Sequence, residues 1–388
     1  MTSSVKRRLA DGQLRFGLMW FNSQTPYLTS AVAAQSNPPV LDVNTQMVLA
    51  RAAENAGFDF LFLADTYVGH GEHNARIGHA EPRLYSPVWS AVLATATKHI
   101  GIASTLHTKY LPPAVIARMG ANLDVVSGGR WAWNVVPGTL DDAIVGMESL
   151  NHAERYAQAT EAVRAVKALW VARGEPVEFE GDYHTFSGRL IGPHPVQKPW
   201  PLLFNAGVSP AGQQLIASEC DYGFFTLVDD LDKVRAPVEN IARIAENAGR
   251  DPREVNLIGT VAIVIGESTA AAQDRFAELR DSIDMDAARA WATNFLGRSQ
   301  TYKDTHGDAE FDAAARSVGV ASGAKVLLGT PGDIAEQILS IYRETGLRGY
   351  QITPLTWSEK EVLQCGEIFE HLERAGVWTP PHKRGFSW

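Results

Sequence analysis

The segment Asn205-Ala206-Gly207-Val208-Ser209-Pro210-Ala211-Gly212 sets small residues, a hydroxyl and a helix-opening proline in the order an anion site needs. Small residues let the backbone approach an anion, Ser209 can cap the helix and offer its hydroxyl, and the free N–H groups of a first helical turn favour a phosphate. The same segment also reads as an ordinary tight turn with a capped helix behind it. Arg155 and Tyr156 could add a guanidinium and a phenol to that phosphate, although Arg155 equally suits a solvated helix charge. His70, Glu72, His73 and His79 form a histidine-rich stretch whose spacing matches no strong metal-ligand pattern, so no metal is expected and the stretch reads as substrate-facing or exposed.

These groups need a scaffold, and the segment from Thr105 to Gly138 indicates which. Pro112 and Pro113 suit the first turn of a helix, and Ile116, Met119, Leu123 and Val126 recur at helical spacing. That helix is expected to end at Ser127, with Gly128 and Gly129 turning the chain into an apolar strand over Arg130 to Val136. With Ile100 to Leu106 as the earlier strand, the segment is a β-α-β unit, which implies a parallel sheet. Strands at Leu14–Trp20, Phe58–Ala64, Leu202–Asn205, Tyr222–Leu227, Asn256–Ile265 and Gly349–Thr353 bring the count to eight. Between them run helical segments, among them Asn44–Ala56 with Asn44 as its expected cap, Ala153–Val171 and Glu359–Ala375.

Eight β/α units predict an α/β fold, a closed (β/α)8 TIM barrel, whose usual length of about 250 residues is exceeded here. The excess falls in four insertions, 22–43, 66–85, 174–200 and 268–326, within one domain spanning 1–388. Three of the four follow a strand and so belong to the C-terminal face, where barrel active sites lie. A doubly wound open sheet is disfavoured, because Phe21-Asn22-Ser23-Gln24-Thr25-Pro26-Tyr27 stands where a glycine-rich dinucleotide loop would follow the first strand. Ser127-Gly128-Gly129-Arg130 lies at a helix-to-strand turn on the opposite, stability face and reads as structural.

The strand ends that point into the barrel mouth are Trp20, Phe21, Asn22, Ala64, Asp65, Thr105, His107, Asn134, Val136, Asn205, Thr226 and Thr353. They mix aromatic surface with small amides and hydroxyls. They hold neither an acyl-transfer nucleophile–base pair nor the paired carboxylates of a glycosidase. Such a mouth suits a flat, largely apolar cofactor fixed by a few hydrogen bonds, while several of these groups equally serve the local backbone.

Whole-chain properties narrow the partners. The 388 residues are 45% hydrophobic and 20% charged, ordinary for a folded domain. A formal charge of −9 with no basic run beyond Lys6-Arg7-Arg8 argues against nucleic acid or a membrane surface as partner. Only two cysteines, Cys220 and Cys365, stand far apart, so a reducing cytoplasm is the expected location. No apolar stretch is long enough for a bilayer, and no segment of signal-peptide character precedes Leu14.

Four segments carry a resemblance over nearly all of the chain: Leu111 to Gly138, Glu154-Arg155-Tyr156, the Asn205 to Gly212 loop, and Leu327 to Ile338. Together they resemble the bacterial luciferase-like superfamily of flavin-dependent monooxygenases, and the central segment looks most like the pyrimidine and alkanesulfonate monooxygenases. The resemblance implies a barrel that takes reduced FMN from a separate NAD(P)H-dependent flavin reductase and uses dioxygen to insert one oxygen atom into a small organic substrate. It also implies a homodimer or homotetramer. By position, Asn134 and Thr105 match residues beside the flavin's central ring nitrogen and the oxygen pocket, and are expected to donate hydrogen bonds where charge develops. Ala64 and Asp65 match flavin-ring contacts. Arg155, Tyr156, Ala206, Gly207, Val208 and Ser209 fall at the phosphate and ribityl anchor. Trp20, Phe21, Tyr67 and His70 are expected on the substrate side, with the 268–326 insertion closing over them. Thr139 stands where the family carries a Trp. A deazaflavin-dependent dehydrogenase or reductase of the same fold is the alternative, and a non-enzymatic flavin-binding protein the third.

Overall fold

The computed structural model describes residues 11–138, 144–296, 308–385 and 388. Eight parallel strands close on themselves: β1 (Arg15–Met19), β2 (Phe60–Leu63), β3 (Gly101–His107), β4 (Trp131–Val136), β7 (Leu202–Asn205), β8 (Tyr222–Thr226), β9 (Asn256–Ile265) and β11 (Gly349–Pro354). The circle is completed by β11 against β1, with Arg15 opposite Gly349 and Leu18 opposite Ile352. This is the expected TIM barrel, and each of its strands overlaps one read from the sequence.

Side chains alternate along each strand. Leu18, Leu61, Ile102, Trp133, Leu203, Val261 and Ile352 face the surrounding helices, while Phe60, Phe62, Ala103, Ala132, Phe204, Tyr222 and Ile258 fill the lumen. Trp388 joins the lumen group, its ring 5.8 Å from that of Phe60. Filling the lumen with rings imposes a condition on β1. A Cβ on Gly17 would stand 2.2 Å from the Phe60 ring, so glycine is required there by space alone.

The helices start and stop where their chemistry dictates. Pro113 opens the helix Pro113–Val126, Ser127 is its C-cap, and Gly128 and Gly129 follow in the left-handed region at φ 67° and 86°. Arg130 then donates to the carbonyls of Ala94, Thr97, Ile100 and Ser127, which settles the Ser-Gly-Gly-Arg turn as scaffold. One cap differs from expectation. Helix Val43–Ala56 is capped by Asp42, whose carboxylate accepts from Asn44 N and Thr45 N; a carboxylate reaches two N–H groups where the Asn44 amide, already inside the helix, reaches none.

The four insertions carry structure of their own. Residues 22–43 contain the helix Ala31–Ser36, and 66–85 the short helix Glu72–Arg76. Residues 174–200 hold an antiparallel hairpin absent from the sequence reading, β5 (Val177–Glu180) with β6 (Thr185–Gly188). The 268–326 insertion holds helices Thr269–Asp281, Met285–Leu296 and Asp308–Val318 and runs into β10 (Val326–Gly329). That strand was also unforeseen. It pairs with Ala262–Ile265 of β9 where β8 has ended, because β9 is 10 residues long and outruns its neighbour.

Replacing Gly17 with Val should destabilise the fold by about 1–3 kcal/mol through overpacking against Phe60. Urea unfolding of the two proteins checks this, and an unchanged midpoint would mean that the ring can move aside.

Candidate active site

Register brings the two central residues together. On adjacent strands β3 and β4, Thr105 and Asn134 are direct partners, both on the lumen face and both buried. Asn134 Nδ2 donates to Thr105 Oγ1 at 2.9 Å, and Thr105 Oγ1 donates to Leu63 O at 2.8 Å. A hydroxyl has one proton, so its bond to Leu63 makes Thr105 an acceptor towards Asn134 and fixes which way the amide points. Asn134 Oδ1 is then left buried with no partner. The pair was expected to donate; the geometry gives up the hydroxyl proton and one amide N–H to the protein and leaves an acceptor unsatisfied.

The surrounding strand ends hold this arrangement. Thr105 N donates to Ser86 Oγ at 2.8 Å, and Ser86 N donates to Asp65 Oδ2 at 2.7 Å. Asp65 Oδ1 also accepts from Thr66 N, so one oxygen of this carboxylate holds the start of helix Ser86–Ala96 and the other its own loop. Asn22 Nδ2 donates to Ala64 O, and Asn22 Oδ1 is a second buried oxygen without a partner. Thr353 Oγ1, at the end of β11, is a third unsatisfied polar atom. Sequence reading placed Asn22 and Thr353 at the mouth but gave them no role, and it missed Ser86, whose hydroxyl becomes relevant only through a contact 19 residues away.

The loop expected to hold an anion is a tight turn into a capped helix. Ser209 caps helix Pro210–Glu219, accepting from Gly212 N. Asn205 spans two strands, donating to Val135 O and accepting from Gly207 N. A Cβ on Gly207 would lie 2.4 Å from Gly212 Cα and 2.9 Å from the Tyr156 hydroxyl, so the absent side chain is what lets Tyr156 reach over the turn. Burial pushes the Tyr156 phenol's pKa up, against the pull of the neighbouring Ser209 hydroxyl and of Arg155. Arg155 donates to Leu150 O rather than standing in solvent, and Ala206 and Val208 are exposed on the turn.

Three of the expected substrate-side residues lie elsewhere. Trp20 and Phe21 have no exposed surface. Trp20 donates its Nε1 to Gln46 at 2.7 Å, and the Phe21 ring packs 5.2 Å from Trp357. Strand alternation explains the first: Trp20 shares the outward face of Leu18, towards helix Val43–Ala56. His70 lies in the seam between the loop after β2 and the 268–326 insertion, its ring 5.4 Å from His79 and 5.8 Å from Trp291. Tyr67 alone of the four faces the mouth, where it is exposed beside a cavity of about 830 Å³. Thr139 lies outside the described residues.

The histidine-rich stretch is a fastening. His73 Nε2 lies 2.8 Å from Asp284, Asn74 donates to Ala287 O, and the His79 ring packs 4.4 Å from Trp291. Arg76 turns to His73 Nδ1, and Arg83 donates to Ala80 O. The loop after β1 is held to the same insertion by Asp284 N donating to Thr29 O and Thr29 N to Gly319 O. Among the described residues no group of His, Cys, Asp and Glu is arranged to hold a metal, and no helix is long and apolar enough to cross a membrane.

A closed β/α barrel with a glycine turn and capped helix behind one strand and an amide–hydroxyl pair at the ends of two others is an enzyme scaffold of the TIM-barrel class. The family model of luciferase-like monooxygenases matches residues 14–349, and the chain belongs to that family. It is 29% identical over 279 residues to a dibenzothiophene-sulfone monooxygenase of Rhodococcus erythropolis, covering 64% of this chain and 61% of that protein, so the match spans less than two thirds of that relative. It is 28% identical over 334 residues to a pyrimidine monooxygenase of Enterobacter cloacae, covering 84% and 87%. The crystal structure of DmoA from Hyphomicrobium sulfonivorans shares the fold with a TM-score of 0.86 at 21% identity, covering 95% of this chain and 89% of that one. A riboflavin lyase solved with modified FMN and riboflavin gives 0.85 at 24%, covering 95% and 93%.

Burial, with His70 and Arg83 nearby, holds His79 well below the usual histidine pKa, so it is neutral in the fold. The unfolded chain takes up that proton below about pH 6.5, and stability should fall with pH from there by up to about 1.4 kcal/mol per unit for this one group. Thermal melts between pH 7 and 5 check it: His79→Phe should have a shallower slope than the parent protein, and equal slopes would refute it.

Proposed function

We propose that the protein is a monooxygenase that takes reduced FMN from a separate NAD(P)H-dependent reductase and inserts one atom of dioxygen into a small organic substrate. The balance is reduced FMN plus dioxygen plus substrate, giving oxidised FMN, water and the oxygenated substrate. Family membership supports the reaction class, and one observation supports the site: the buried, unsatisfied Asn134 Oδ1, oriented by Thr105 and Leu63 at the mouth.

The residues present fit FMN at both ends. Tyr156, Ser209 and the N–H groups opening helix Pro210–Glu219 would hold the phosphate, with the glycine turn giving it close access. Asn134 Oδ1 would accept from an N–H of the reduced ring, satisfying an atom that otherwise bears the full cost of burial. When bound, reduced FMN supplies the two electrons that let one oxygen atom leave as water. The protein's own part is orientation and dryness. Thr105 and Ser86 fix the amide, and the loops fastened through His73, Asn74 and Thr29 limit water at the mouth.

We extend the reading to a cytoplasmic homodimer or homotetramer. Two buried free cysteines, Cys220 and Cys365, agree with a reducing location, and Val88, Val115, Val125 and Val126 stand exposed on neighbouring helices as an assembly surface requires.

Ser209→Ala and Tyr156→Phe should each weaken FMN binding about tenfold or more while leaving riboflavin, which lacks the phosphate, unchanged. Fluorescence titration reads both, and an equal loss for riboflavin would remove the phosphate assignment. With reductase and a substrate that the parent protein oxygenates, Asn134→Ala should cut coupled oxygen insertion by about tenfold or more. Full coupling in that variant would sink its role. Tighter binding of deazaflavin than of FMN would instead favour the dehydrogenase alternative.

A further inference from the structure

The mouth has an aromatic wall that neither the capped turn after β7 nor the Asn134–Thr105 pair uses. Tyr67 and Tyr85 are 39% and 37% exposed, and both face the same cavity of about 830 Å³, within the range that encloses small organic ligands. Their hydroxyls are 3.3 Å apart. Behind Tyr67 the wall continues: its ring lies 5.3 Å from that of His107 and 5.6 Å from that of Tyr110, and His107 and Tyr110 stack at 5.3 Å with an interplanar angle of 28°. His107 follows Thr105 by two residues on β3, so the two share a strand face about 7 Å apart. The wall therefore runs from the outer loop to the pair that orients the unsatisfied Asn134 oxygen.

The charges around the cavity set a second condition. Asp65 accepts two backbone N–H bonds, which offset its charge within the protein. Among the described residues, the other two ionic groups lining it, Glu81 and Arg83, are of opposite sign. A sulfonate or carboxylate would meet Glu81 and Asp65, and an ammonium would meet Arg83. Among the described residues the lining carries both signs, and an uncharged ligand avoids a like-charge contact with either.

We propose that the substrate of this site is an uncharged, planar aromatic or heteroaromatic compound that stacks on Tyr67, with a polar substituent hydrogen-bonded to the Tyr67 and Tyr85 hydroxyls. This rests on the reading of the mouth as the site of oxygen insertion. Offset or edge-to-face packing adds to the plain burial of a ring, so flat unsaturated molecules gain over saturated ones of equal size. Tyr67 is the residue on which that discrimination depends.

Equilibrium dialysis on the intact protein with four probes of one skeleton tests this: 2-naphthol, decahydro-2-naphthol, naphthalene-2-sulfonate and 2-naphthylmethylammonium. The expected order puts 2-naphthol about tenfold tighter than each of the others. Tyr67→Leu should weaken 2-naphthol about three- to tenfold and leave decahydro-2-naphthol within about twofold, while Tyr67→Phe keeps the preference for the aromatic skeleton. Should Tyr67→Leu fail to fold, Tyr85→Leu is expected to weaken 2-naphthol in the same sense. Equal binding of the saturated alcohol, equal or tighter binding of either ion, or no measurable binding of 2-naphthol overturns the proposal. FMN titration of the same preparations separates the two readings. Normal FMN binding without an aromatic preference rejects only the substrate class, whereas an aromatic preference without FMN binding rejects the flavin reading.

Discussion

A closed parallel barrel has to fill its own interior, and the rest of this structure depends on how that is done. Phe60, Phe62, Phe204, Tyr222, Phe224 and Trp388 meet in the lumen, with Phe204 and Tyr222 stacked 4.2 Å apart and almost parallel. Moving towards the C-terminal end along the same strand faces, the residues become small or polar: Phe62 gives way to Ala64, Ala103 to Thr105, Ala132 to Asn134 and Phe224 to Thr226. The rings form a solid floor and the small residues leave a space above it. A ligand of the barrel is therefore confined to the rim, where Asn22, Asn134 and Thr353 carry unsatisfied buried atoms. Everywhere below, bulk excludes it.

The opposite face is held by carboxylates that collect backbone N–H groups. Asp59 accepts from Phe16 N across the β1–β2 pair and Asp221 from Leu203 N across β7–β8. Glu54 takes the three consecutive N–H groups of Lys98, His99 and Ile100, and Glu161 those of Asp182, Tyr183 and His184. Asp124 gathers Val196 N, Gln197 N and the Gln197 amide. Between them they satisfy donors in strand starts, a helix-to-strand turn and the hairpin turn, so these segments are held without any contribution from the mouth. Strain or unsatisfied polarity at the active end is tolerable because the other end is so fully bonded.

Three insertions meet at the mouth and are fastened to one another. The loop after β1 bonds the 268–326 insertion through Thr29, and the loop after β2 does so through His73, Asn74 and His79. Their coupling ties the loop that lines the cavity to the other two insertions. The fourth insertion, with its hairpin, follows helix His152–Ala172 and takes no part in this.

Periodicity and punctuation alone determined the barrel. Eight apolar runs alternating with amphipathic helices, prolines at helix starts and glycines at helix ends report local backbone preference, which is written in neighbouring residues. The capped turn after β7 was legible for the same reason, since Ser209, Pro210 and the glycines lie in one short stretch. Thr105 and Asn134 were found as strand ends, but only register between β3 and β4 made them partners, and only the carbonyl of Leu63 on a third strand decided which of their atoms is left to a ligand. Strand alternation turns Trp20 outward, Phe21 packs on Trp357, and an insertion more than 200 residues distant, not its own neighbours, chooses the surface His70 faces. The aromatic wall of Tyr67, Tyr85, His107 and Tyr110 draws on a loop, a helix start and a strand end; no local pattern unites them, and packing at the mouth is what made them one feature.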